Sequence, residues 1–237
     1  MEVTTTNPHH SGSGPRNPGP NNFNAIISKK TDVDRILKIQ YAVKKKVETG
    51  YNNLPWVKGK PIVVAVGPFH SESSLLIKFI DVFEVLYGFK INEKSGKINE
   101  KSFFNQPENS SISAICYSNF GTFGKFSRIA RGHEIYSKFC TGKLSWSGIE
   151  YVYDEGTFRP ENFTEVIESG YHENFCYGMT VFHNPNAKNK CGSIFGDMAL
   201  ELATNNGCAV IVNAARKQNS KNPSSPIVAC QHLIPES

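Results

Sequence analysis

Nowhere does the chain hold about 18 consecutive apolar residues, so no transmembrane helix is expected. No basic-then-apolar leader opens it, so no export signal is expected either. No two cysteines form a C-x-x-C pair, which removes the commonest redox and zinc spacings. No glycine-bearing turn matches the P-loop or the dinucleotide fingerprint. Charge of neither sign dominates: 26 Lys and Arg against 21 Asp and Glu leave a net +5. That balance permits an acidic partner without implying one.

What is present fits a globular chain. Its 237 residues suit one large domain or two small ones, with 39% apolar and 11% aromatic residues to build a core. Of the six cysteines, Cys116, Cys208 and Cys230 lie in apolar runs, while Cys140, Cys176 and Cys191 do not. Apolar settings without an export signal predict reduced, buried thiols and a cytoplasmic location.

Glu2-Val3-Thr4-Thr5-Thr6 is rich in β-branched residues and stops at Asn7-Pro8, which predicts an N-terminal strand over 1–6. Residues 7–24 are mostly Pro, Gly, Asn and Ser and predict a flexible loop. His9 and His10 within it lack fixed geometry for a metal. From residue 25 to 237 a single α/β domain is expected. Apolar positions from Val33 to Val47, including Ile36, Leu37, Tyr41 and Val43, predict a helix over about 30–48 ended by Gly50. "PIVVAVGPF" predicts a buried strand at Ile62–Val66. "SESSLLIKFIDVFEVLYGF" predicts a helix capped by Ser71 or Ser73. "KINEKSGKINEKS" reads as a polar hairpin over 90–102. Further strands are expected at 111–118, near 149–153, at 177–183, 207–215 and in "PIVACQHLI", with a short helix at "SIFGDMALELA". Strands separated by helices predict a mixed, partly parallel sheet of about six strands flanked by helices.

Three stretches bear on chemistry. Ser118 and Asn119 end a strand before a glycine-bearing turn, with Lys125, Arg128 and Arg131 just beyond; these cations are the candidate phosphate contacts to a nucleic acid. A solvated turn with ordinary basic residues is the plainer alternative. His183 and Asn184 end another strand, where α/β sites usually lie. An Asx-type turn that satisfies local backbone is the reading the residues favour there. A cysteine nucleophile at Cys116, Cys176 or Cys208 with a histidine has no local signature to support it.

Taken in order, "EVTTTNP", "NNLPWVKGKPIVVAVGPF", "LYGF", "ISAICYSNFGTFGKFSRIAR" and "GMTVFHNPNAKN" resemble the C-terminal half of an uncharacterised bacterial protein family. The resemblance covers about residues 2–190. Longer members carry a "PD" turn and then a strand bearing a glutamate, an order similar to the PD-(D/E)XK nuclease core. In that core an Asp and a Glu hold Mg²⁺, and a Lys two residues after the Glu assists the attacking water. Clustered carboxylates suit a hard cation that generates hydroxide and offsets developing charge.

By that resemblance Glu2 is the metal-ligand and catalytic glutamate, and Thr4 stands where the lysine belongs. It implies a restriction-endonuclease-like core lacking its first strands, with Mg²⁺ in a full-length form and none in this chain, and a missing N-terminal segment or a partner chain to complete it. It implies a nucleic-acid-directed protein, inactive as it stands, with no membrane association. The plain alternative for Glu2 is an exposed carboxylate with no role. The competing function is a non-catalytic interaction module that pairs through an exposed sheet edge.

Overall fold

Ile36, Ile39, Val43 and Val47 recur every three or four residues, the spacing that puts side chains on one helical face. In the computed structural model of the chain that face packs into the main core. The structure describes residues 2–5, 29–68, 76–91, 101–119, 123–132, 143–154, 157–167, 171, 173–205, 208–213 and 224–234. The expected loop at 7–24, the repeat from 92 to 100 and the turn at 120–122 lie outside them.

Strand β1 is Glu2–Thr5, helix α1 is Lys29–Glu48 and strand β2 is Val63–Gly67. β1 lies parallel to β2, with Glu2 opposite Val64. Leu37 and Tyr41, expected on the buried face of α1, are exposed instead. At 100° per residue they sit one step round from the Ile36–Val43 line. Lys45, one turn on, holds its ammonium 4.7 Å from the Tyr41 ring centre.

Helix α2 is Phe79–Tyr87, shorter than expected, and no serine caps it. Its N-cap is Lys78, in extended backbone, and the Ile77 carbonyl just before is already committed. Tyr117 Oη donates to it at 2.7 Å and Asn119 Nδ2 at 3.0 Å. These bonds tie the approach to the helix to the end of strand β3, at Ala114–Ser118. Phe79, Val82, Phe83 and Leu86 then bury at helical spacing, each worth about 1.5–3 kcal/mol of transfer free energy. Gly88, at φ 85°, stops the helix and donates its N–H to the Glu84 carbonyl at 2.7 Å.

Strands β3 (Ala114–Ser118), β6 (Met179–His183), β7 (Leu200–Asn205) and β8 (Cys208–Asn213) complete a six-stranded sheet of order β1-β2-β3-β6-β7-β8. β1, β2 and β3 run parallel; β6 opposes β3, β7 follows β6, and β8 opposes β7. The sheet is therefore mixed, as expected. Period-two alternation sends Val64, Ile115, Tyr117, Phe182 and Leu202 into the core shared with α1 and α2. Ala114, Cys116 and Val181 form a second cluster with Val63, Ala65, Ile194 and Phe195.

Helix α3 (Phe123–Gly132) comes between β3 and a second, antiparallel sheet of order β5-β4-β9. Its strands are β4 (Lys143–Asp154), β5 (Thr157–Ile167) and β9 (Ser224–Ile234). The strand expected near 149–153 is thus one part of a twelve-residue strand, and its partner β5 was not foreseen. The last strand joins this sheet rather than the main one. Phe158 and Tyr151 meet the Phe79 ring edge-on at 5.1 and 5.9 Å, which seats the second sheet against α2. The helix expected at "SIFGDMALELA" is a short 3₁₀ turn at Gly196–Met198 followed by β7. Among the described cysteines, Cys116, Cys176, Cys191 and Cys208 carry free thiols. Cys208 is exposed, not buried, because β8 sits at the sheet edge and alternates outward. No described helix is long and apolar enough to cross a membrane.

Asn184 closes the turn after β6 and is buried. Its Nδ2 donates to the Ile112 carbonyl at 2.8 Å and the Asn109 carbonyl at 3.2 Å, while its Oδ1 accepts the Asn186 N–H at 2.9 Å. One side chain thus fixes the entry to β3 and the exit from β6. Asn184→Ala removes all three bonds and leaves buried carbonyls short of a donor. Denaturant titration should show a loss of roughly 1–3 kcal/mol. A change below experimental error would mean that water replaces the amide without cost.

Candidate functional site

His183 ends β6 and Glu201 is the second residue of β7; the strands pair in parallel with Val181 opposite Glu201, two residues before His183. Alternation puts Met179, Val181 and His183 on the sheet face away from α1 and α2, and Glu201 on the same face. Glu201 has 0% of its surface exposed. A buried carboxylate must be hydrogen-bonded, and here both oxygens are. Oε1 accepts the backbone N–H groups of Ile194 and Phe195 at 2.8 and 2.7 Å, and the Ser193 hydroxyl at 3.1 Å. Oε2 faces His183 Nε2 at 2.8 Å. These bonds fold residues 191–196 back over the strand ends.

That fold-back brings Cys191 to His183. The sulfur lies 3.6 Å from Nδ1, and the His183 side chain keeps 13% of its surface exposed. When the carboxyl is ionised it only accepts, so Nε2 donates to it; in the neutral imidazole Nδ1 then presents its lone pair to the thiol. Burial raises the Cys191 pKa, the Glu201 charge adds to that, and a backbone hydrogen bond offsets part of it. The thiol is therefore the resting form, with a base in contact. Among the described residues no group of three His, Cys, Asp or Glu side chains is arranged to hold a metal ion.

Asn184, beside this cluster, serves the Asx turn that the residues favoured. Asn119 is buried and spent on the Ile77 carbonyl, and Ser118 ends β3 half-buried. The strand-end residues of β3 and β6 therefore do not gather into one polar site.

The expected phosphate contacts turn inward. Lys125 is 3% exposed and Arg128 1%. Lys125 Nζ donates to the Phe175 and Tyr177 carbonyls, both at 2.5 Å. Arg128 grips Glu173 through two bonds, Nε to Oε2 at 2.8 Å and an NH2 group to Oε1 at 3.0 Å. Its guanidinium lies 3.9 Å from the Trp146 ring centre. Trp146 in turn donates to Glu165, and Tyr171 to Glu173. This buried network docks α3 on the β4–β5 hairpin. It corrects the surface role expected for the two cations, because the counter-charge at Glu173 lies on a distant segment. The Arg131 and Glu2 side chains are outside the described part, so only the β1 backbone register bears on Glu2.

A cleft of about 530 Å³ opens beside β2. Its lining includes Lys46, Tyr51, Trp56, Lys60, Val63 and Val64. Trp56 is 66% exposed, an unusual setting for so large a ring. Val64 is the residue opposite Glu2, so β1 borders a strand that contributes to the cleft lining.

Cys191, Glu201 and the Trp56 cleft were missed in the sequence. A lone acid between Leu200 and Leu202 would have marked Glu201, had "ALELA" been read with period two.

The buried ammonium has a pH signature. Burial is the main cause that lowers the Lys125 pKa to about 8, reinforced by Arg128 and opposed by Glu173 and Cys176. Between about 8 and the ordinary lysine value the unfolded chain binds more protons, so stability rises with pH in that window and is lost as pH falls through 8. Buried thiols and tyrosines act oppositely at high pH, so the comparison is with Lys125→Met. Relative to that variant, the protein should gain about 1–2 kcal/mol between pH 7 and pH 9.5 in urea titrations. Parallel pH profiles would show that Lys125 does not titrate across this range.

No family model, no curated protein and no solved structure matches the chain.

Proposed function

We propose that the chain is a PD-(D/E)XK-like, nucleic-acid-directed protein that holds a single strand across the cleft beside β2 without cutting it. The observation that carries this reading is the composition of the cleft: an exposed tryptophan beside Tyr51, Lys46 and Lys60. Flat rings stack on bases irrespective of sequence, and lysines track the phosphates. The parallel β1–β2 pair around α1 supports a restriction-endonuclease-like core. Among the described residues no group of acidic, His or Cys side chains is arranged to hold Mg²⁺. Glu2 offers one carboxylate, Thr4 replaces the cationic lysine, and a cation that wants near-octahedral oxygen ligation needs more.

A second reading has its own observation. β1 is the edge of the main sheet, paired among the described residues with β2 alone. An unpaired edge accepts a strand from a partner or from another copy, which is the interaction-module function.

A labelled single-stranded oligonucleotide, titrated at about 50 and 200 mM salt, separates the two. Binding should be weak and salt-dependent. Trp56→Ala should cost roughly 1–3 kcal/mol of affinity. Lys60→Ala should lower the salt slope by about 0.7, the value for one phosphate on a single strand. Absent binding at low salt, with self-association seen by sedimentation, would transfer the function to the sheet edge. Mg²⁺-dependent nicking that disappears in Glu2→Ala would show that the protein cuts after all.

A further inference from the structure

The Cys191–His183–Glu201 line has the three parts of an activated nucleophile. A thiol touches a base, and the base is oriented by a third group. It lies on the sheet face opposite the α1–α2 core and is independent of the nucleic-acid reading. We propose that it is an acyl-accepting site, with Cys191 as nucleophile, His183 as general base and Glu201 as the positioning residue.

Glu201 is more than a clamp on residues 191–196. Three of its bonds do that, all to Oε1. The fourth, from Oε2, fixes the imidazole tautomer, which decides whether Nδ1 can take a proton. Cys191 is only partly buried, and beside it Gly192 has open space where a Cβ would stand. Cys191 packs with Ile194, Phe195 and Met179, all partly buried, against the apolar cluster of Ala114, Cys116 and Val181. These surroundings suit a small apolar acyl group carried as an ester.

In the first step the Cys191 proton passes to His183 Nδ1 while the sulfur bonds to the carbonyl carbon. The carbon–oxygen bond to the alcohol breaks, and the alcohol leaves with the proton from His183. The product is a thioester on Cys191. Water then attacks that carbonyl and gives a proton to His183; the carbon–sulfur bond breaks, the Cys191 thiolate leaves and the carboxylic acid is released. The proton returns to the sulfur. The sum is ester plus water to acid plus alcohol, with no redox partner.

The test uses the whole chain and p-nitrophenyl acetate as the probe, with acetylated cysteines located by peptide mapping after acid quench. Cys208 is the internal reference, since its thiol is exposed. Cys191 should be acetylated at least tenfold faster than Cys208. Glu201→Gln can still accept the Ile194 and Phe195 N–H groups, but its amide can turn a donor toward Nε2 and reverse the tautomer. It should bring Cys191 down to the Cys208 rate while circular dichroism stays unchanged. Cys191→Ala should abolish nitrophenol release above the background of the other thiols. Equal acetylation of Cys191 and Cys208 in the unaltered protein would overturn the proposal, whatever the variants do. So would a folded Glu201→Gln protein with undiminished Cys191 acetylation.

Discussion

A carboxylate with none of its surface in water must find its hydrogen bonds inside the protein, and Glu201 imposes that demand on β6, β7 and the segment between them. Its two oxygens divide the work. One gathers successive backbone N–H groups and closes the 191–196 segment over the sheet. The other reaches across to the neighbouring strand and holds an imidazole. The strand pairing, the path of the chain and the chemistry at the thiol are therefore consequences of one buried charge. Removing the charge without replacing its acceptors would unmake all three together.

The elements legible in the sequence are those whose burial follows a single period. α1 and the apolar cores of β2, β3 and β6 were readable because tertiary structure uses each as its pattern suggests. β5 was not, because its exposed middle from Arg159 to Asn162 breaks the alternation. Its existence depends on register with β4, which no local rule contains. β7 was mistaken for helix because Ile194, Met198 and Leu202 recur every four residues, while the alternation of Met198, Leu200 and Leu202 marks the strand. For the site, His183 was visible at a strand end, yet its partners come from segments whose approach is decided by the fold.

The two cations of α3 show a different limit. Basic residues after a strand suggest an anion, and that inference is sound when they reach solvent. Here the anion is part of the same chain. Arg128 satisfies its charge on Glu173 and its flat face on Trp146, while Lys125 uses backbone carbonyls. Breaking such a buried pair is costlier than never having made it. The electrostatics of this region accordingly serve assembly of α3 with the hairpin, and the outward basic surface has to be sought elsewhere.

The separation of Arg128 from Glu173 also has a meaning in time. The two are 45 residues apart, with the entire β4–β5 hairpin between them. On a translating ribosome that emits 5–20 residues per second, α3 waits about 2–9 s for its counter-charge to be synthesised. Throughout that interval a basic, amphipathic segment stands without its seat. The nascent chain is then most open to capture by an acidic surface, and the hairpin must form before α3 has anywhere to go.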